Sequence, residues 1–273
     1  MLRSLLFILT FGLVAGAAAA HPTAPTKATY LGNEGIMVSD RETTVLFDPL
    51  FPNGFGIYQM VPEAMRQDLM AGIGPFEQVD AIFVSHMHPD HFSVGETIVY
   101  MQTHDHVRLF APAQAVDLMR EAAPDADIFD RITPIGLERL DPPLSFKQGA
   151  LEIDVVRIPH AGWPQRSEVS NLVWRVTLTD GITVTHLGDA DPRQEHFAPH
   201  DAHWRAKRTD TAYPPYWFFL MGDGPQILST QLNTTKATAI HVPIDLPPDL
   251  FVSGADIFHT PGETRLLEQA DGE

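Results

Sequence analysis

The stretch SHMHPDHFS, residues 85–93, constrains this chain more than any other. From His86 to His91, four of six side chains are metal donors: His86, His88, Asp90 and His91. The stretch follows DAIFVS (80–85), an apolar run with polar borders that reads as a buried strand. The donors therefore stand at the C-terminal mouth of a strand, where α/β sheets bind ligands. His86 and His88 are alternate residues leaving the strand and can aim at one ion. Asp90 and His91 lie a turn further on and can aim at a neighbouring ion. Neither pair is a complete shell, because a hydrolytic site needs several protein ligands and a position left open for water.

The chain offers the missing donors at three other apolar strand ends. His160 closes LEIDVVRIPH, Asp189 closes ITVTHLGD, and His241 closes TKATAIH. Gly188 lets the backbone approach closely before Asp189. A lone strand-end histidine is usually structural. Three strand-end donors following a four-donor cluster are hard to explain by core packing. With no cysteine in the chain, any metal is held by nitrogen and oxygen, and such donors accept zinc, manganese or iron.

The remaining pattern frames this cluster. Short β-like runs at 28–31, 35–39 and 44–48 precede it, separated by turn residues. A short helix is expected around 63–70, then a helix at 94–101, a strand at 107–110 and a helix at 113–122. Strands dominate from residue 144, at 151–158, 171–179 and 182–186, with the Asp180-Gly181 hairpin signal between the last two. A strand near 212–219, a helical stretch at 225–233 and a strand at 238–241 complete the pattern. Residues 192–224 read as an insert with histidines of its own. No linker divides the chain, so residues 28–273 are expected to form one α/β domain of two packed sheets with helices outside.

Residues 1–20 pair one basic residue, Arg3, with a short apolar run and a tract of small residues ending in Ala20. This is the pattern of a cleaved export signal, followed by a linker at 21–27, and it predicts a periplasmic or secreted protein with no stable membrane insertion. Formal charge is −17, and −18 without Arg3. So acidic a surface gains nothing from phosphate counterion release, which makes nucleic acid a poor candidate partner.

SHMHPDH, the HLGD turn and the late IHVP segment resemble the metallo-β-lactamase superfamily over most of the chain, from about Tyr30 to Thr264. The opening YLGNEGIMVSDRETTVLFDPLF is similar to that superfamily's first hairpin. IHVP followed by HTPGET is similar to the broad metal-dependent hydrolase branch, with its ascorbate-phosphate lactonases and N-acyl-phosphatidylethanolamine phospholipases D. The resemblance implies an αββα sandwich with two divalent ions at one edge, zinc foremost. It implies His86, His88 and His160 on the first ion, Asp90, His91 and His241 on the second, and Asp189 bridging them.

The function expected on that basis is hydrolysis of a small ester, lactone or phosphodiester by a metal-bridging hydroxide. Asp90 is expected to orient the nucleophile or pass a proton as well as to bind metal. Trp163, Arg166 and Tyr216 are the candidate substrate contacts. The alternatives are an iron-dependent redox enzyme on the same scaffold and a β-lactam-hydrolysing enzyme.

Overall fold

The computed structural model describes residues 25–270. The expected export signal and residues 21–24 of the expected linker lie outside them. Two seven-stranded mixed sheets pack face to face with helices around them. The first sheet holds β1 (Lys27–Gly32), β2 (Gly35–Ser39), β3 (Thr44–Phe47), β4 (Ala81–Phe83), β5 (Arg108–Pro112) and β6 (Ile132–Ile135). The second holds β7 (Leu144–Gln148), β8 (Leu151–Arg157), β9 (Leu172–Thr177), β10 (Thr183–His186), β11 (Thr209–Tyr213), β12 (Thr234–Ala239) and β13 (Asp256–Ile257). A last strand, β14 (Thr264–Leu266), returns to pair antiparallel with β1.

Each sheet begins as an antiparallel meander and continues in parallel. β1 to β3 are antiparallel, and β3 to β6 parallel. In the second sheet β7 to β10 are antiparallel, and β10 to β13 parallel. Parallel neighbours need crossover connections. In the first sheet helices α1 (Glu63–Ala71), α2 (Val94–Thr103) and α3 (Ala113–Ala122) lie on those crossovers. Ser93 caps α2, its hydroxyl accepting from the Glu96 amide at 3.3 Å.

Alternation along the strands builds three apolar layers. Inward residues such as Tyr30, Phe47, Val155 and Trp174 fill the space between the sheets. The opposite face of the first sheet, with Leu46, Ile82 and Leu109, is covered by Leu69 of α1, Met101 of α2 and Val116 of α3. The outer face of the second sheet packs on Phe197, Trp204, Phe218 and Ile227. At the centre, Phe83 stacks on Phe47 and Phe110 at 5.2 and 5.0 Å and meets Trp174 of the other sheet at 5.2 Å. Trp174 also donates its indole N–H to the Val84 carbonyl at 2.9 Å, tying the sheets together beside the histidine cluster.

Two sequence expectations change. Residues 192–224 are not an insert beside the fold, because they contain β11, which lies between β10 and β12. Their polar and proline-rich flanks conceal the strand. The strand expected over 212–219 runs instead from Thr209 to Tyr213, and Tyr216–Phe219 forms a 3-10 turn. Pro214 and Pro215 have no N–H to donate, so the regular strand ends at Tyr213 and an isolated bridge from Pro215 to Ile240 follows. Among the described residues no helix is long and apolar enough to cross a membrane.

Phe83→Ala would leave a cavity between the sheets. It is expected to cost about 3–5 kcal/mol, read from urea unfolding of chelator-treated protein.

Candidate metal centre

The seven candidate ligands converge on one edge of the sandwich, each just beyond a strand. β4 ends at Phe83, and a turn in which the His88 carbonyl accepts from the His91 and Phe92 amides folds the next residues back. His160 follows β8, Asp189 follows β10 and His241 follows β12. His86 Nε2 lies 3.0 Å from His88 Nδ1, and His160 Nε2 lies 3.1 Å from the same atom. Asp189 Oδ2 is 3.1 Å from His160 Nε2. The other oxygen, Oδ1, is 3.3 Å from His91 Nε2 and 3.2 Å from His241 Nε2. Asp90 Oδ2 closes this second group, 3.7 Å from His91 Nε2 and 3.5 Å from His241 Nε2. Asp189 thus divides its two oxygens between two donor sets.

These spacings suit metal ions better than hydrogen bonds. Donors about 2.0–2.1 Å from a tetrahedral ion stand roughly 3.3 Å apart. His91 Nε2, Asp189 Oδ1 and His241 Nε2 are buried with no hydrogen-bond partner, a costly state that cations would relieve. The donor set, five imidazoles and two carboxylates with no thiolate, fits two divalent ions.

Electrostatics differ between the sets. Burial holds His86 well below the usual imidazole range, and His88 below it, which favours the neutral form a ligand needs. Burial opposes charge on Asp189 as well, but His241, His91 and His160 outweigh it and hold that carboxyl well below the carboxylate range. Burial also opposes charge on His91 and His241. Asp189 and the other carboxylates nearby prevail, raising His91 well above its ordinary value and His241 to about 9.

A supporting layer fixes the donors. Asp48 accepts from the Ser85 amide at 2.7 Å and from the Ser85 hydroxyl, and its Oδ2 lies 2.9 Å from His91 Nδ1. Ser85 Oγ also lies 3.0 Å from His86 Nδ1. Asn171 accepts from the Asp189 amide at 3.0 Å and donates to the Leu187 carbonyl at 3.1 Å. Gly188 has a φ of +52°, and a Cβ there would meet Asn171 Oδ1 at 2.4 Å and Ser85 Cβ at 2.5 Å, so only glycine fits. His186 stacks on Phe47 at 5.2 Å and is not among the donors.

The donors floor an open cavity of about 580 Å3. Phe55, Ile57, Tyr58 and Trp217 give it apolar and aromatic wall, and Arg166 is its cation. Tyr58 and Trp217 flank the His241 ring at 3.9 and 5.3 Å between centroids. Of the three residues expected to contact substrate, Arg166 lines the cavity. Trp163 packs edge-on against His196 and under Arg139, and Tyr216 packs on Trp217, which takes the cavity position. Sequence reasoning missed Glu34, Asp48, Ser85, Asn171 and Tyr58. The only signal available was the Asp48-Pro49 strand ending.

An unfolded imidazole titrates near 6.5, whereas His241 in the fold titrates at about 9. A proton held more tightly in the fold stabilises it fully below the unfolded value, and the gain is lost as pH rises through the folded one. Chelator-treated protein is expected to melt at falling temperature from pH 6.5 to about 9, and His241→Gln to reduce that slope.

Comparison with known proteins places the fold. Three solved structures share the fold. The metallo-beta-lactamase fold protein YhfI from Bacillus subtilis is 16% identical with a TM-score of 0.58, covering 88% of this chain and 98% of its own. Igni18, a metallo hydrolase from Ignicoccus hospitalis, is 18% identical with a TM-score of 0.60, covering 90% and 100%. CmlA, a diiron beta-hydroxylase from Streptomyces venezuelae, is 14% identical with a TM-score of 0.52, covering 90% of this chain and 55% of its own. Comparison with curated protein sequences returns no match. The family model described as the beta-lactamase superfamily domain matches residues 27–202, which take in every candidate ligand but His241. The chain belongs to the beta-lactamase superfamily, with the metallo-beta-lactamase fold.

Proposed function

We propose that this chain is an exported dinuclear metal-dependent hydrolase that cleaves a small ester, lactone or phosphodiester. The observation that carries the reading is the divided Asp189 carboxylate, one oxygen in each donor set, at the floor of an open cavity. His86, His88 and His160 would hold the first ion, Asp90, His91 and His241 the second, and Asp189 both. Zinc is the first choice, with manganese and iron chemically admissible. Such ions, when bound, acidify water and polarise a carbonyl or phosphoryl oxygen.

The chain's own groups supply the rest. Phe55, Ile57 and Trp217 exclude water from the apolar side of a substrate. Arg166 offers a cation to an anionic substrate group. Asp90 has one oxygen facing the second set, and its place on the cavity wall lets it orient the attacking group or take up a proton. Export rests on residues 1–20, the acidic charge disfavours nucleic acid, and a small-molecule substrate rests on the size of the cavity.

Elemental analysis of protein purified without chelator is expected to give two zinc or manganese ions per chain, falling sharply in His86→Ala and Asp189→Ala. Two irons would favour the redox alternative, and no metal after reconstitution would sink both enzyme readings. In a screen of chromogenic esters, lactones, phosphodiesters and a β-lactam, Arg166→Ala is expected to raise KM about tenfold for anionic substrates and to leave neutral esters unchanged. Equal effects on both classes would remove Arg166 from substrate recognition.

A further inference from the structure

Glu34 sits in the turn between β1 and β2, where an acid would ordinarily face water. Here the turn is buried, because it is clamped to both chain segments that bear second-set donors. Asn33 Nδ2 donates to the Asp90 carbonyl at 2.8 Å, and the Asn33 carbonyl accepts from the His241 amide at 3.0 Å. The Glu34 side chain is fully buried beneath the donors, and neither carboxylate oxygen has a hydrogen-bond partner.

Its carboxylate lies among imidazoles: Oε2 is 3.6 Å from His186 Nε2, outside the donor sets, and reaches the second set as well. Oε2 lies 3.6 Å from His91 Nδ1, on the side of the ring away from Asp189. One Glu34 oxygen, one Asp189 oxygen and a ring nitrogen of His241 all lie within 4.8 Å of one another, and both His241 ring nitrogens lack partners. Among the described residues Glu34 makes no ion pair with His86, His88 or His160. Glu34, Asp48 and His186 also bring donor atoms within 4.8 Å of one another, but hydrogen bonds occupy the imidazole of this group. His186 Nε2 faces the Glu34 carbonyl at 3.0 Å and its Nδ1 accepts from the Gly188 amide, so neither nitrogen is free. Charge supports the same assignment. Glu34, Asp48, Asp90 and Asp189 are buried carboxylates around the donors, and together they set negative charge beside two cations.

We propose that Glu34 is a positioning residue of the second metal site: from behind the donors, beside Asp48, its carboxylate acts on the His91 and His241 rings through charge and adds negative charge beneath two divalent ions. A partner of this kind behind a ligating imidazole typically changes metal affinity 10–100-fold. The proposal rests on the dinuclear reading above.

The test is stepwise titration of cobalt(II) into chelator-stripped full-length protein, followed by visible absorption and equilibrium dialysis. His241→Ala identifies the second-site step. Glu34→Gln is expected to bind the first cobalt within about twofold of the parent and the second about 10–100-fold more weakly. Its metal-free melting temperature should match the parent's, because a carboxamide keeps the shape, while the rise on adding cobalt should shrink. Unchanged affinity at both steps would overturn the proposal. So would equal weakening of both steps with a lowered metal-free melting temperature, which marks a structural role only. If Glu34→Gln does not fold, Glu34→Asp keeps the charge and shortens the reach. Second-site weakening alone would then support the proposal, and no change would overturn it. A parent protein that takes up no cobalt would overturn the dinuclear reading along with it, whereas two ions held equally by parent and variant would remove only the role of Glu34.

Discussion

The close approach of Gly188 to Ser85 and Asn171 is the contact on which the site depends. It joins the loop after β10 in one sheet to the loop after β4 in the other, with no room for a Cβ between them. Ser85 immediately precedes the histidine cluster and Gly188 immediately precedes Asp189, so this one contact sets how far the carboxylate stands from the imidazoles. The aromatic packing of Phe83 and Trp174 and the indole hydrogen bond to Val84 keep the two sheets at that spacing. The apolar core therefore acts as the calibration of a polar site.

That site is costly for the empty protein. Buried imidazoles stand about van der Waals distance apart, and several of their nitrogens have no partner. Such a cluster persists only where the surrounding fold over-determines it. Ions that bind the folded chain and not the unfolded one stabilise by mass action, about 2.7 kcal/mol at a hundredfold excess over Kd. The fold and its cofactors then share the energetic burden, and the donors need not be arranged for stability on their own.

Much of this was legible in the amino-acid order, for identifiable reasons. His86 to His91 are contiguous, so their convergence needed only a strand and a turn. His160, Asp189 and His241 each end an apolar run, and that common position marked them as a group. The supporting residues carry no such mark. Asp48 reads as the end of a strand, Asn171 as its start, and Glu34 as an ordinary turn acid, because their roles arise from tertiary contacts across the two sheets. Tyr58 lies in a Gly- and Pro-rich segment without periodicity. Between Tyr216 and Trp217, the phase of a single 3-10 turn decides which ring faces the cavity, and no sequence pattern reports that phase. β11 was expected a few residues too late, because prolines and polar residues flank a strand whose burial comes from its central place in the sheet.

The order of the donors along the chain also governs when the centre can exist. His86, His88, His160 and Asp189 all precede β11, whereas His241 follows β12 and lies beyond the segment that defines the family. In chain order, one donor set is complete by Asp189 while the other still lacks a member. The strands that position His241 must first add to the far side of the second sheet. The centre therefore draws unevenly on the chain: the first donor set is complete by Asp189, whereas the second needs a residue from the final third.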